Sequence, residues 1–240
     1  MTSRPGEELA ETLVELADAL SPEFDLDDFL RLLANRCVRL LDVDAAGVFL
    51  IDHGVAASNE RVKDLEVAAQ RNEEGPWLDC TRSGEQILVP DLAEEHDRWP
   101  RYVAAARRAG FAAVHTLPLR RRAELIGSLT LFTTEPGSLE KSDVRVAQAL
   151  ADVATVGILG ARALRRQETL AAQLQHALNS RVIVEQAKGV LAERLGLNTT
   201  AAFDTLRNYA RSHNTKVSEL ATSIVDGKFN TDVLRDGPTP

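Results

Sequence analysis

Residues 180–225 read SRVIVEQAKGVLAERLGLNTTAAFDTLRNYARSHNTKVSELATSIV. Three helical periods are written into this run. The first, Arg181 to Leu195, places Ile183, Ala187, Val190 and Leu191 on one apolar stripe. Gly196 ends it as a C-terminal glycine does, and Asn198-Thr199-Thr200 offers N-caps for the next helix. The second, from about Ala201 to Ser212, is expected to bury Ala202, Phe203, Leu206 and Ala210. His213-Asn214-Thr215 breaks the chain, and a third helix carries Val217, Leu220, Ala221 and Ile224. Three narrow stripes close one small three-helix bundle, with Phe203 expected as the only large ring inside it.

Polar groups flank those stripes. Arg181 and Lys188 are seven residues apart and share a face about a quarter-turn from the core stripe, and Arg194 lies on the same helix. Arg207 and Arg211 are four apart on the second helix, and Asn214 and Lys216 sit in the break. Guanidinium forks, ammonium groups and an amide are the donors that bind phosphate and base edges. The same charges also describe a solvated helix face, and spacing alone does not choose between the two.

The order of residues does. Glu185-Gln186-Ala187-Lys188-Gly189-Val190-Leu191, then Ala202-Phe203 with Leu206-Arg207 and Ala210-Arg211, then Asn214 through Ala221, resembles the ANTAR domain, the RNA-binding output module of bacterial antitermination regulators. The resemblance spans 180–225. It implies a three-helix module that binds RNA stem-loops in nascent transcripts and keeps a terminator from forming. It carries RNA contact onto Lys188, Arg207, Arg211, Asn214 and Lys216, with Ala187, Ala202, Phe203 and Ala221 as core. Thr215 stands where a second basic residue is frequent, so no contact is carried onto it.

The rest of the 240 residues is acidic. The chain has a net charge of −8, with 20 Lys and Arg against 29 Asp and Glu over residues 1–178, and 8 against 7 over 179–240. A nucleic-acid surface is therefore expected to be local and confined to the C-terminal end. Two cysteines, Cys37 and Cys80, are too few for a disulfide framework or a four-cysteine metal site. The N-terminus lacks the apolar core of a signal peptide, and no apolar run is expected to span a membrane, so a cytoplasmic location is expected.

Upstream, helical periods over Glu8–Leu20 and Leu26–Leu41 precede strands at 45–51 and 55–59. A helix at 65–72, ended by Glu74-Gly75-Pro76-Trp77, a strand at 86–89 and a helix at 101–109 follow. Strands at 114–119 and 125–134 complete the pattern, that of an antiparallel sheet covered by helices. Gly75-Pro76-Trp77-Leu78-Asp79, Gly84-Glu85-Gln86-Ile87, Val89-Pro90-Asp91-Leu92, Leu117-Pro118-Leu119 and Leu125-Ile126-Gly127-Ser128-Leu129 are similar to a GAF domain over about 25–163. That resemblance implies a sensing module with a small-molecule pocket between sheet and covering loops, for which Trp77, Cys80, Trp99, Tyr102 and His115 are the candidate lining. A haem would need a histidine such as His115, and a covalent chromophore or redox switch would need Cys80. The sequence names no ligand, and a GAF domain that binds nothing and only dimerises stays open.

From Ser142 nothing stops a helix before Leu195 except Gly157 and Gly160. Positions 150, 153, 157, 160, 164, 167, 171, 174 and 178 follow coiled-coil spacing, from which a homodimer is expected. As far as Leu164, the same helix read as folding back on its own sheet fits equally.

The expected organisation is α+β: an N-terminal helix (1–24), a GAF sensor (25–140), a connecting dimerisation helix (141–178), the RNA-binding bundle (179–228) and a mobile tail (229–240). Two rival functions meet obstacles in the sequence. A sensor histidine kinase would need an ATP-binding domain larger than the roughly 60 residues after His176. A DNA-binding helix-turn-helix would need base-reading side chains on its third helix, where Ser218, Glu219, Thr222 and Ser223 include no arginine. Metal-ligand clusters, nucleophile elbows and nucleotide-binding loops are absent from the sequence, so no enzymatic activity is expected.

Overall fold

Ala45–Leu50 (β1) is buried at every position, as a strand covered on both faces must be. It is the centre of a computed structural model that describes residues 5–18 and 25–234. β1 pairs antiparallel with Gly54–Ala57 (β2) on one side and with Glu124–Thr133 (β5) on the other. β5 pairs with Ala113–Arg121 (β4), which pairs with Ile87–Val89 (β3), giving the order β2-β1-β5-β4-β3. Gly127 is required where β5 crosses β1. A Cβ there would stand 1.9 Å from the Phe49 carbonyl oxygen.

Helices cover both faces. Pro5–Asp18 (α1), Leu26–Leu41 (α2) and the first part of Lys141–Leu195 (α6) bury Leu16, Phe29, Leu33, Leu150, Ala154 and Ile158 against Val48, Leu117 and Leu129. On the opposite face Glu60–Asn72 (α3), Pro76–Ser83 (α4) and Pro100–Arg108 (α5) enclose an aromatic core of Phe49, Trp77, Trp99, Tyr102, Phe111 and Phe132. Two of these helices depart from expectation. α3 starts five residues early, capped by Asn59, whose side chain accepts from the Val62 amide at 3.0 Å; its charged first turn hid the period. Gly75-Pro76 does not only end a helix. Pro76 opens α4 at a first-turn position, where its missing N–H costs nothing.

The chain divides into two compact units, 1–163 and 164–240. In the second, the end of α6 packs with Thr199–Ser212 (α7) and Val217–Val225 (α8) around Ala187, Leu191, Ala202, Leu206, Ala210, Leu220, Ala221 and Ile224. Asn198 caps α7 by accepting from the Ala201 amide at 2.8 Å. The expected mobile tail is packed as far as the described residues run. Leu234 is buried in this core, and Phe229 meets Tyr209 edge-on at 5.2 Å. Leu20, the expected end of the first helix, and the last residues, 235–240, lie outside the described residues.

α6 also revises two expectations. One 18-residue window of it is long and apolar enough, by length and composition, to cross a membrane, which the sequence reading did not anticipate. Part of its apolar surface is spent on the first unit's core, through Ala147, Leu150, Ala151, Ala154 and Ile158. The expected pairing seam is therefore not open at its start, because Leu150 is fully buried by the chain's own sheet. Farther along, Leu164, Leu170, Leu174, Leu178 and Val182 are exposed.

Candidate nucleic-acid interface

The end of α6, the start of α7 and the break before α8 enclose a groove of about 780 Å³. Arg181, Val184 and Glu185 line it from α6, Phe203 and Arg207 from α7, and Thr215, Lys216 and Val217 from the break and the first turn of α8. The break turns at Asn214, which takes the left-handed conformation with φ 50° that asparagine tolerates. This turn brings Lys216 back towards the groove. Neither Arg181 nor Arg207 has an ion-pair partner among the described residues, and Lys216 makes only an exposed contact with Glu219 at 3.6 Å. Such an exposed pair is worth little and leaves the ammonium free to move to an anion.

Phe203 is not in the core. It is half-buried in the groove wall, flanked by the buried residues Ala202 and Leu206. The bundle centre is filled by alanines, leucines and an isoleucine. Lys188 also differs from expectation. Its ammonium donates to both Glu185 oxygens, at 2.9 and 2.8 Å, and lies 5.6 Å from the Phe203 ring centroid. It is largely covered, and it holds Glu185 and Phe203 in place as much as it offers charge outward.

The groove thus gathers Arg181, Arg207 and Lys216. Arg194, Arg211 and Asn214 do not line it: Arg194 is in the last turn of α6, Arg211 in the last turn of α7, and Asn214 at the turn itself. Phe203, Glu185 and Thr215 line it, although the sequence assigns Phe203 to the core, carries no contact onto Thr215 and gives Glu185 no contact role. The one available signal was Phe203 standing one position off the Ala202–Leu206–Ala210 stripe.

In the first unit the five expected pocket residues do not share one site. Trp77, Trp99 and Tyr102 belong to the aromatic core on the α3–α5 side. His115 shares its face of β4 with Leu117 and Leu119, which belong to the core on the α1–α2 side, so it faces the other side of the sheet. It is buried, and burial holds its pKa below the ordinary value; its Nε2 accepts from the Leu139 amide at 3.4 Å. Cys80 sits on α4, not on a loop, and burial pushes its thiol up to about 12. That is the opposite of what a redox switch or a chromophore nucleophile needs. Among the described residues no group of three or more His, Cys, Asp or Glu is placed to hold a metal ion.

Comparison with known proteins agrees with this division. A family model described as the GAF domain matches residues 24–159, and one described as the ANTAR domain matches residues 172–225. Among solved structures, the chain is similar to the GAF domain from an Acinetobacter phosphoenolpyruvate-protein phosphotransferase. Identity is 14%, covering 68% of this chain and 97% of that one, with a TM-score of 0.53. It is similar also to the GAF domain from the corresponding Coxiella burnetii protein, at 20% identity over 67% of this chain and 98% of that one, with a TM-score of 0.51. These likenesses speak to the fold of the first unit. No curated protein matches. With its five-stranded antiparallel sheet and this pair of matches, the chain belongs to the GAF domain family and carries an ANTAR domain after it, the composition of a GAF–ANTAR regulator.

Proposed function

We propose that the protein is a non-enzymatic, cytoplasmic regulator that binds stem-loops in nascent RNA through its ANTAR domain and opposes transcription termination. The observation that carries this reading is the groove in which Arg181, Arg207 and Lys216 surround the half-buried Phe203. Cations that track a phosphate backbone beside an aromatic platform for an unstacked base are the elements by which proteins hold single-stranded loops. A DNA-reading helix-turn-helix would place its donors on α8. The side chains exposed there, Glu219 and Thr222, bring no positive charge.

The homodimer belongs to the same proposal. Leu164, Leu170, Leu174, Leu178 and Val182 leave an exposed apolar strip on α6, and a second copy laid along it would present two RNA-binding modules together. The GAF domain would supply the input, a small-molecule effector that alters this pairing. The proposal is tested by recovering RNA cross-linked to the protein in cells and sequencing it. Stem-loops upstream of terminators should dominate; duplex DNA sites, or no enrichment, would refute it. In vitro, binding to such a stem-loop should weaken steeply with salt, and duplex DNA should not compete.

A further inference from the structure

Glu185 is the one acid among the residues lining the groove, where Arg181, Arg207 and Lys216 set a positive sign. A carboxylate in that place opposes a phosphate backbone. Both of its oxygens accept from the Lys188 ammonium, at 2.9 and 2.8 Å. Arg181, one turn earlier on the same helix, stands at a spacing that allows it to compete for Glu185, yet it forms no ion pair among the described residues.

The two partners are unequally exposed. The Glu185 side chain is 60% exposed and that of Lys188 only 18%. The carboxylate therefore lies to the solvent side of an ammonium that sits 5.6 Å from the centroid of the Phe203 ring. An ammonium has three N–H donors and no acceptor, and Glu185 engages this one with both oxygens. A phosphate entering the groove meets the carboxylate first, and it reaches Lys188 only by displacing an anion already in place.

An ion pair with one partner this exposed adds little to stability, so its consequence is in charge and not in folding. Contacts to phosphate hold every nucleic acid alike and carry no sequence information. We propose that Glu185 is a specificity-determining residue: it masks Lys188, so that the groove shows a generic polyanion three cations instead of four. Withholding that contact lowers indiscriminate binding and raises the share of affinity that depends on a base stacked at Phe203. Lys188, onto which the sequence carries an RNA contact, is thereby a reserve charge held by its neighbour. The inference rests on the RNA-binding reading of this groove and adds to it the residue that limits that binding.

The test compares full-length wild type and variants by fluorescence anisotropy across a salt series, with labelled poly(U) and with a labelled DNA duplex. Glu185→Gln is expected to bind both several-fold more tightly than wild type at low salt. For poly(U), its slope of log affinity against log salt should be steeper by about 0.7, the share of one freed ammonium on a single strand. Adding Lys188→Met, which keeps the side-chain length and removes the charge, should return the slope to that of wild type. Circular dichroism and thermal melting show that the variants are folded; if the double variant is not, Glu185→Gln with Lys188→Gln takes its place. Equal affinity and slope in wild type and Glu185→Gln would overturn the proposal. So would a steeper slope that persists in the double variant, since the gain would then come from the lost carboxylate alone. Poly(U) forms no stem-loop, so these outcomes are separate from the preference for stem-loops that RNA recovered from cells decides.

Discussion

Phe203 and Arg207 stand side by side in the groove wall, one apolar and half-exposed, the other charged and unpaired. Truncating each should separate binding from folding. Phe203→Ala is expected to cost the bundle only about 1 kcal/mol, since little of the ring is in the core, while weakening RNA binding by about 1–3 kcal/mol through the lost stacking surface. Thermal melting and fluorescence anisotropy with a labelled stem-loop measure the two effects. Glu66 makes a different prediction, in pH. Its carboxyl is raised from 4.5 to about 8 in the folded protein, so between those values the native state keeps a proton that the unfolded chain has lost. The sign follows: this contribution to stability is intact below about 4.5 and declines as pH rises towards 8, by about 1.4 kcal/mol per unit. Glu66→Gln removes the titration, so urea unfolding followed by tryptophan emission should show a flatter pH profile and a variant that gains on wild type as pH rises.

At the scale of elements, the helices α6, α7 and α8 were legible because their apolar stripes, the Asn198 cap and the breaks at Gly196 and Asn214 are written in residue types. Which flank of a stripe stays open was not. A helical wheel gives angles around one axis, and neighbouring helices decide that Phe203 faces a groove and that Lys188 is drawn onto Glu185. Likewise the alternation in β4 and β5 was readable, whereas the opposite facing of His115 and Tyr102 needs the sheet to be assembled. Gly127 tests that assembly. With a Cβ only 1.9 Å from the Phe49 carbonyl oxygen, Gly127→Ala must part β1 from β5, and a loss on the order of 3 kcal/mol or more in unfolding free energy is expected. α6 yields a further test. Leu174 and Leu178 are exposed, and if they meet a second copy, Leu174→Lys with Leu178→Lys should convert a dimer to a monomer by light scattering while leaving helix content unchanged.

For the whole molecule, charge is distributed as the proposal requires. An acidic first part of the chain repels polyanions in general, and the nearly neutral C-terminal part confines attraction to one groove. The α+β architecture and the two family matches describe a regulator that joins a GAF domain to an ANTAR domain. The part of this that sequence could not carry is the interior of the sensor, where Glu66 of α3 and Tyr102 of α5 meet across elements that no spacing rule connects.

The most direct test is the salt dependence of stem-loop RNA binding by the full-length protein, compared with Arg207→Ala and with Arg71→Ala, an exposed arginine on α3, as control. The account predicts weaker binding for Arg207→Ala, with the slope of log affinity against log salt reduced by about one unit, and wild-type behaviour for Arg71→Ala. Equal affinity and equal slope in all three proteins would contradict it.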